Sequence, residues 1–207
     1  MTTTEGQVAE KTRERILRVA AEMFAEKGYH GTSVADLGDA AGVKRGALYY
    51  HIGSKEDLLY DLSTRHVEEA LRRGLAVVES DLSPVEKLRA LAREHLAAVA
   101  ARRAEVTLVM REMHSLTGTR AERLRALRDE HQELFARVLR EGLEDGVFRT
   151  ADPVAVLGIL GCLNWTYVWF DPERGMGIEE LAQRLTDGIL HGQLQTPGTD
   201  GRVFRAG

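Results

Sequence analysis

Apolar residues recur at helical spacing along nearly the whole chain, and short polar breaks cut the pattern into segments. After a polar arm, Ile16, Ala20, Met23 and Phe24 form the first stripe with Lys27 in register, and Gly28 stops it. In the next segment Thr32 or Ser33 can cap a short helix carrying Val34, Leu37 and Ala41, and Asp36 stands where a capping box wants a carboxylate. Gly42 permits a tight turn, and a short segment from Lys44 to His51 follows. Two short helices about a glycine-bearing turn form a helix-turn-helix pattern.

Ser54 then caps a longer helix with Asp57 three residues on, its stripe made of Leu58, Leu59 and Leu62, running to about Glu79. Ser83 and Pro84 open another, whose stripes continue through Leu88, Leu91, His95 and Leu96, then Val106, Val109, Met110 and Met113. Beyond LTGT a long helix carries Leu124, Leu127, His131, Leu134, Val138 and Leu139 on one face. The run Val154 to Phe170 is apolar throughout except near Asn164, and it reads as a buried helix too short for the roughly 20 residues a bilayer span needs. A last amphipathic helix runs from Ile178 to about Leu194. No strand pattern and no repeat occurs. The reading divides the chain into an arm and helix-turn-helix unit over 1–53, a larger helical unit over 54–195, and a disordered tail over 196–207.

Composition changes this picture little. The chain has 207 residues, 43% hydrophobic and 29% charged, which predicts an ordinary globular all-α protein. One cysteine, Cys162, rules out an intrachain disulfide and a multi-cysteine metal site, and it reads as a small buried residue. The N-terminal segment lacks an apolar run behind a basic start, so a cytoplasmic protein without membrane contact is expected. Seven histidines are present, but none forms H-E-x-x-H or E-x-x-H, and neither a phosphate loop nor a nucleophile elbow occurs. No enzyme, no metal and no cofactor is expected. An all-helical enzyme and an adaptor that keeps the fold without DNA are the competing classes.

The net charge of -4 gives no hint of nucleic acid, so any hint must be local. It lies in VKRGALYYHIGSKEDLL, Val43 to Leu59. Lys44 and Arg45 start the second short helix, where N-terminal residues of a recognition helix meet base edges, while Gly46 and Ala47 are small enough for close approach. Tyr49, Tyr50 and His51 supply hydroxyls and rings, and Lys55 stands at the next helix N-terminus. Lys44, Arg45 and Tyr50 are the candidates for base readout. Thr32, Tyr49, His51 and Lys55 are the candidates for phosphate contacts. A structural hairpin with a solvated charged face is the bland alternative.

The stretch from Ile16 to about Leu62 resembles the DNA-binding domain of the TetR family of bacterial transcriptional regulators. It matches at Phe24, Gly28, Gly31-Thr32, Val34, Ala41-Gly42-Val43, Leu48-Tyr49, His51 and Lys55. Ile52 replaces a frequent phenylalanine, a core swap, and Lys44 replaces a frequent serine, which weakens the helix cap but adds charge toward DNA. The resemblance implies about nine helices and a homodimer through the last two, with Gly158 and Gly161 permitting close helix approach. It further implies a palindromic double-stranded operator and a small-molecule effector whose binding releases DNA, as a repressor would require. The segments LRALRDEHQELFARVLREGLEDGVFRTADP and LNWTYVWFDPERG are similar to a TetR subgroup that often senses acyl-CoA thioesters; another hydrophobic ligand or drug is the alternative.

Candidate effector contacts on that reading are Met110, Met113, His131, Asn164, Trp165 and Trp169. Each also has a structural reading: the methionines as gap-fillers, His131 as a satisfied core histidine, and the tryptophans as core or dimer packing. Asn164 needs a polar partner, whether protein, water or ligand. Arg111 and Arg128 suit either CoA phosphates or a solvated face.

Overall fold

The computed structural model describes residues 2–193, so the tail expected over 196–207 lies outside the described residues. Nine α-helices and no strand occupy the described residues. They are α1 (Thr2–Lys27), α2 (Val34–Ala41), α3 (Arg45–Ile52), α4 (Lys55–Val78), α5 (Pro84–Ala101), α6 (Arg103–Glu112), α7 (Gly118–Glu144), α8 (Pro153–Trp169) and α9 (Ile178–Gln193). Single 3-10 turns follow α6 at Met113–Ser115 and α8 at Pro172–Arg174. No helix among them is long and apolar enough to cross a membrane.

Helix starts follow local chemistry. Ser33, Ser54 and Ser83 each accept a backbone N–H three residues on, and Asp36, Asp57 and Glu86 reach back to the serine backbone, closing three capping boxes. Thr32, the other cap candidate, is not used. α8 opens with the Asp152 carboxylate accepting from the Val154 amide at 2.7 Å, with Pro153 in the first turn.

The architecture departs from expectation in two places. The polar arm is helical from Thr2, because Glu10, Lys11, Arg13, Glu14 and Arg15 favour helix without needing a buried face. The stripes Leu88–Leu96 and Val106–Met110 fall on two helices, as the count of about nine expects, separated at Arg102 (φ -131°, ψ 40°), where no glycine or proline marks the break. The apolar run of α8 buries only one side. Val156, Ile159, Leu163 and Thr166 face the core, whereas Val154, Leu157, Trp165, Val168 and Trp169 are exposed, as is Cys162, contrary to the buried reading.

Two apolar cores result. The first joins α1, α2 and α3 to Leu58, Leu59, Leu62 and Val67 of α4, and extends to Leu108, Leu116, Leu124 and Leu127. The second joins α5, α8 and α9 to Leu134, Phe135, Val138 and Leu139 of α7. Helices α4 and α7 run through both, and Leu71 packs against each core. Their approach is close: a Cβ on Gly74 of α4 would lie 2.6 Å from Leu134 of α7.

Gly142 is under a harder constraint, because a Cβ there would lie 2.1 Å from the Phe148 ring, which is fully buried. A ring so enclosed cannot swing aside. Gly142→Ala should therefore lower unfolding stability by about 1–2 kcal/mol, overpacking outweighing the helix-propensity gain. Urea unfolding monitored by circular dichroism checks this; an unchanged or higher midpoint would contradict the packing described.

Candidate nucleic-acid interface and effector cavity

The turn between α2 and α3 is built by Gly42 in the left-handed region (φ 63°), its N–H bonded to Asp39 O at 3.1 Å and the Val43 N–H to Gly38 O at 2.8 Å. Gly38 also matters here, because a Cβ on it would meet Val43 O at 3.0 Å. Thus α3 is set against α2 with Leu48 and Ile52 buried, and its remaining side chains turn outward. Lys44, Arg45, Gly46, Ala47, Tyr49 and Tyr50 are exposed, Tyr50 by 84%, and His51 is half-buried. The Arg45 guanidinium stands 5.8 Å from the Tyr49 ring centre, and the Tyr50 and His51 rings meet edge to face at 5.4 Å. Lys44 occupies the N-cap of α3 without a side-chain hydrogen bond.

Two predicted phosphate contacts are placed differently. Thr32 is buried, and its hydroxyl donates to Gly28 O at 3.0 Å, so its side chain braces the end of α1 and does not reach outward. The Lys55 ammonium rests 4.3 Å from the Tyr29 ring centre and 6.0 Å from that of Phe24. Burial there pulls its pKa below the ordinary lysine value, with Glu112 opposing.

A cavity of about 340 Å³ lies between α4, α5, α6, α7 and α8. Its apolar wall includes Val67, Ala70, Val109, Met110 and Leu160. Its polar side combines His66, His95, His131, Gln132 and Asn164, with Arg125, Arg128 and Asp129 also lining it. His95 Nε2 lies 3.0 Å from Asn164 Oδ1, and the His95 and His131 rings are 5.5 Å apart. Burial pushes the three imidazoles down, His66 and His95 to about 4 and His131 to about 3, with neighbouring histidines adding to the effect at His66 and His131. All three are neutral at pH 7. Among the described residues no three His, Cys, Asp or Glu side chains are arranged to hold a metal ion.

Of the six effector candidates, Met110, His131 and Asn164 line this cavity. Met113 does not; it packs on the first core, and its sulfur lies 2.9 Å from the Arg128 guanidinium. Trp165 and Trp169 do not either, since they project from the outer face of α8, exposed by 61% and 48%. Arg111 is exposed away from the cavity. Sequence reasoning singled out neither His66 nor Arg125 and treated His95 only as a stripe position. A signal existed: His66, His95 and His131 each occupy an apolar stripe position on a different helix. Three histidines so placed require a polar destination.

A short polar route joins cavity and helix-turn-helix unit. Arg128, in the cavity wall, touches Met113, and the adjacent Glu112 accepts from the Tyr29 amide at 3.2 Å. Ser115 bonds Glu112 and lies 3.1 Å from His30 Nε2, while Arg120 of α7 holds Asp57 at the start of α4.

Among the described residues, an exposed basic-aromatic helix behind a glycine turn, ahead of a cavity-bearing helical bundle, is the architecture of a helix-turn-helix protein. Residues 16–62 match the model of bacterial regulatory proteins of the tetR family, and residues 81–193 match the tetracyclin repressor-like C-terminal domain. The chain belongs to the TetR family of transcriptional regulators. It is 30% identical over 192 residues to the HTH-type transcriptional repressor KstR2 of Rhodococcus jostii (strain RHA1), covering 91% of this chain and 93% of that one. Among solved structures it is similar to the TetR family regulator PfmR from Thermus thermophilus, with 38% identity, TM-score 0.80, and 86% and 97% of the two chains covered. It is also similar to AibR in complex with isovaleryl coenzyme A and operator DNA, with 26% identity, TM-score 0.75, and 88% and 98% covered.

The histidines set a pH dependence. In the unfolded chain they titrate near 6.5, in the folded chain near 4 or below. Between those values the unfolded state binds more protons, so stability is full above pH 6.5 and declines as pH falls toward 4. Urea midpoints should drop steadily from pH 7 to pH 5, and His131→Gln should flatten that slope. A pH-independent midpoint over this range would contradict the neutral burial.

Proposed function

We propose that this chain is a cytoplasmic homodimeric repressor that binds a palindromic operator and leaves it when an acyl-CoA thioester enters the cavity. The observation that carries the DNA half is the division of α3, with Leu48 and Ile52 inward and Lys44, Arg45, Tyr49 and Tyr50 outward. Lys44, Arg45 and Tyr50 would read base edges, while Tyr49 and His51 would take phosphates, with Lys55 adding charge once it leaves the Tyr29 ring. Charge on residues 1–60 is close to balanced, so affinity depends on these few groups doubled by symmetry.

The homodimer is supported by the outer face of α8. Val154, Leu157, Gly158, Gly161, Cys162, Trp165, Val168 and Trp169 form one exposed stripe at helical spacing. A Cβ on Gly158 or Gly161 would meet nothing within 4 Å of its own chain, so neither glycine is required by a close internal contact, though Leu157 and Gly161 also edge the cavity. Each costs about 1 kcal/mol against alanine in a helix, which a close crossing with a second α8 would offset.

The effector class is supported by two arginines on the cavity wall, Arg125 and Arg128, which suit the phosphates of a CoA ligand, and by AibR, whose solved complex contains isovaleryl coenzyme A. Binding there would act on Met113 and Glu112 and so on the Tyr29 loop, biasing one of two placements of the recognition helix.

Mobility shift with DNA flanking the chain's own gene should give binding that Arg45→Ala and Tyr49→Ala each weaken about tenfold or more, and that falls steeply with salt. Unchanged binding in both variants would discard α3 as the reader. Sedimentation at micromolar concentration should give a dimer, and Trp165→Asp a monomer with lost operator affinity. A thermal-shift series with acyl-CoAs, free fatty acids and unrelated drugs separates effector classes; inert acyl-CoAs beside a stabilising drug would replace the effector assignment.

A further inference from the structure

The cavity contains more unspent hydrogen-bonding capacity than a plain acyl chain can use. Among the described residues, the His66 and His131 rings make no hydrogen bond although both line the cavity, His66 buried and His131 half-buried. His66 Nδ1 and His95 Nδ1 are sealed off without a partner among the described residues, so the unbonded ring nitrogens that a ligand can reach are His66 Nε2 and those of His131. The Asn164 carbonyl faces His95 Nε2 at 3.0 Å, which leaves its amide N–H groups, also on the cavity wall, without a protein acceptor. These groups stand on four different helices, α4, α5, α7 and α8, and converge on one space.

Methylenes pressed against them would displace their water and return no hydrogen bond, and each buried polar group left unpaired weakens binding. A ligand oxygen placed among them meets donors and acceptors together, because a neutral imidazole offers one of each and the Asn164 amide adds two donors. Sites built this way discriminate strongly against the analogue that lacks the polar atom.

We infer that the cavity selects an acyl ligand carrying a carbonyl or hydroxyl oxygen on its acyl portion, held by His66, His131 and Asn164, over the saturated acyl ligand of equal length. This rests on the acyl-ligand reading above but is separable from it. The saturated wall of Val67, Ala70, Val109 and Leu160 would hold the remaining carbon skeleton.

The test is calorimetric titration of the full chain with matched pairs: octanoyl-CoA against 3-hydroxyoctanoyl-CoA and a keto-substituted octanoyl-CoA, then the corresponding free acids, with CoA alone as a further arm. At least one oxygenated member should bind about tenfold more tightly than its saturated partner. In His131→Leu and Asn164→Leu that preference should collapse while saturated octanoyl-CoA binds as well or better. Equal affinity for saturated and oxygenated thioesters in the unmodified protein would overturn the inference and leave the CoA assignment standing. Preference for oxygenated free acids with no response to any thioester would support the oxygen subsite and reject the CoA assignment. Absence of binding to every probe would overturn both. The ranking in the unmodified protein decides the matter even if a variant fails to fold.

Discussion

Everything in this molecule depends on α4 and α7 lying against each other along their length. These are two of the longest helices, 24 and 27 residues, and they alone contribute substantially to both apolar cores. Gly74 lets their backbones come together against Leu134, and Leu71 touches both cores at the changeover. At that changeover the stripes cannot serve both cores at once, and the positions between them carry His66 and His131. The cavity is therefore the seam where one core ends and the next begins. Its polar side chains stand at helix positions that neither core covers.

That placement also explains how a small ligand can affect a recognition helix that it never touches. The first core already contains Leu108 of α6 and Leu124 and Leu127 of α7, so the helix-turn-helix unit is fastened to the walls of the cavity and not only tethered by α4. Glu112 and Ser115 tie the end of α6 to Tyr29 and His30, and Arg120 ties α7 to the cap of α4. Several such bonds are part-exposed and individually weak, which suits the shift of the recognition helix proposed above.

What the sequence made legible was the chemistry that acts within a few residues. Ser54 with Asp57, Ser83 ahead of Pro84, and Gly42 between two short apolar runs announce their helix boundaries through local hydrogen bonding and backbone freedom. The family resemblance added the order of the nine helices. What stayed hidden depends on distant partners. The break at Arg102 has no local breaker; Arg102 pairs with Glu105 three residues on and with Glu69 of α4, and only the folded arrangement brings the latter within reach. Thr32 was ambiguous because both readings place its hydroxyl near a helix end, and only the burial of the α1–α2 loop decides between them. The α8 run defeated periodicity altogether: it is apolar on both sides, one for its own core and one turned outward. A pattern of that kind cannot say which side the chain itself covers.

The uncapped start of α3 has a consequence for how such a protein can change. Three other helices close their first turn with a serine, whereas Lys44 leaves the first amides of α3 without a side-chain acceptor. Those amides point along the axis at the helix N-terminus, and the lysine beside them carries a charge that a serine would not. A substitution that sealed the helix internally would remove both attractions in one step, so tighter folding and tighter reading compete for the same residue. If Arg45 and Tyr50 read bases as proposed, substitutions there would change specificity without touching the fold, since both side chains are exposed. Position 44 would have no such freedom on the proposed reading, because the residue that could cap the helix is also the one that faces DNA.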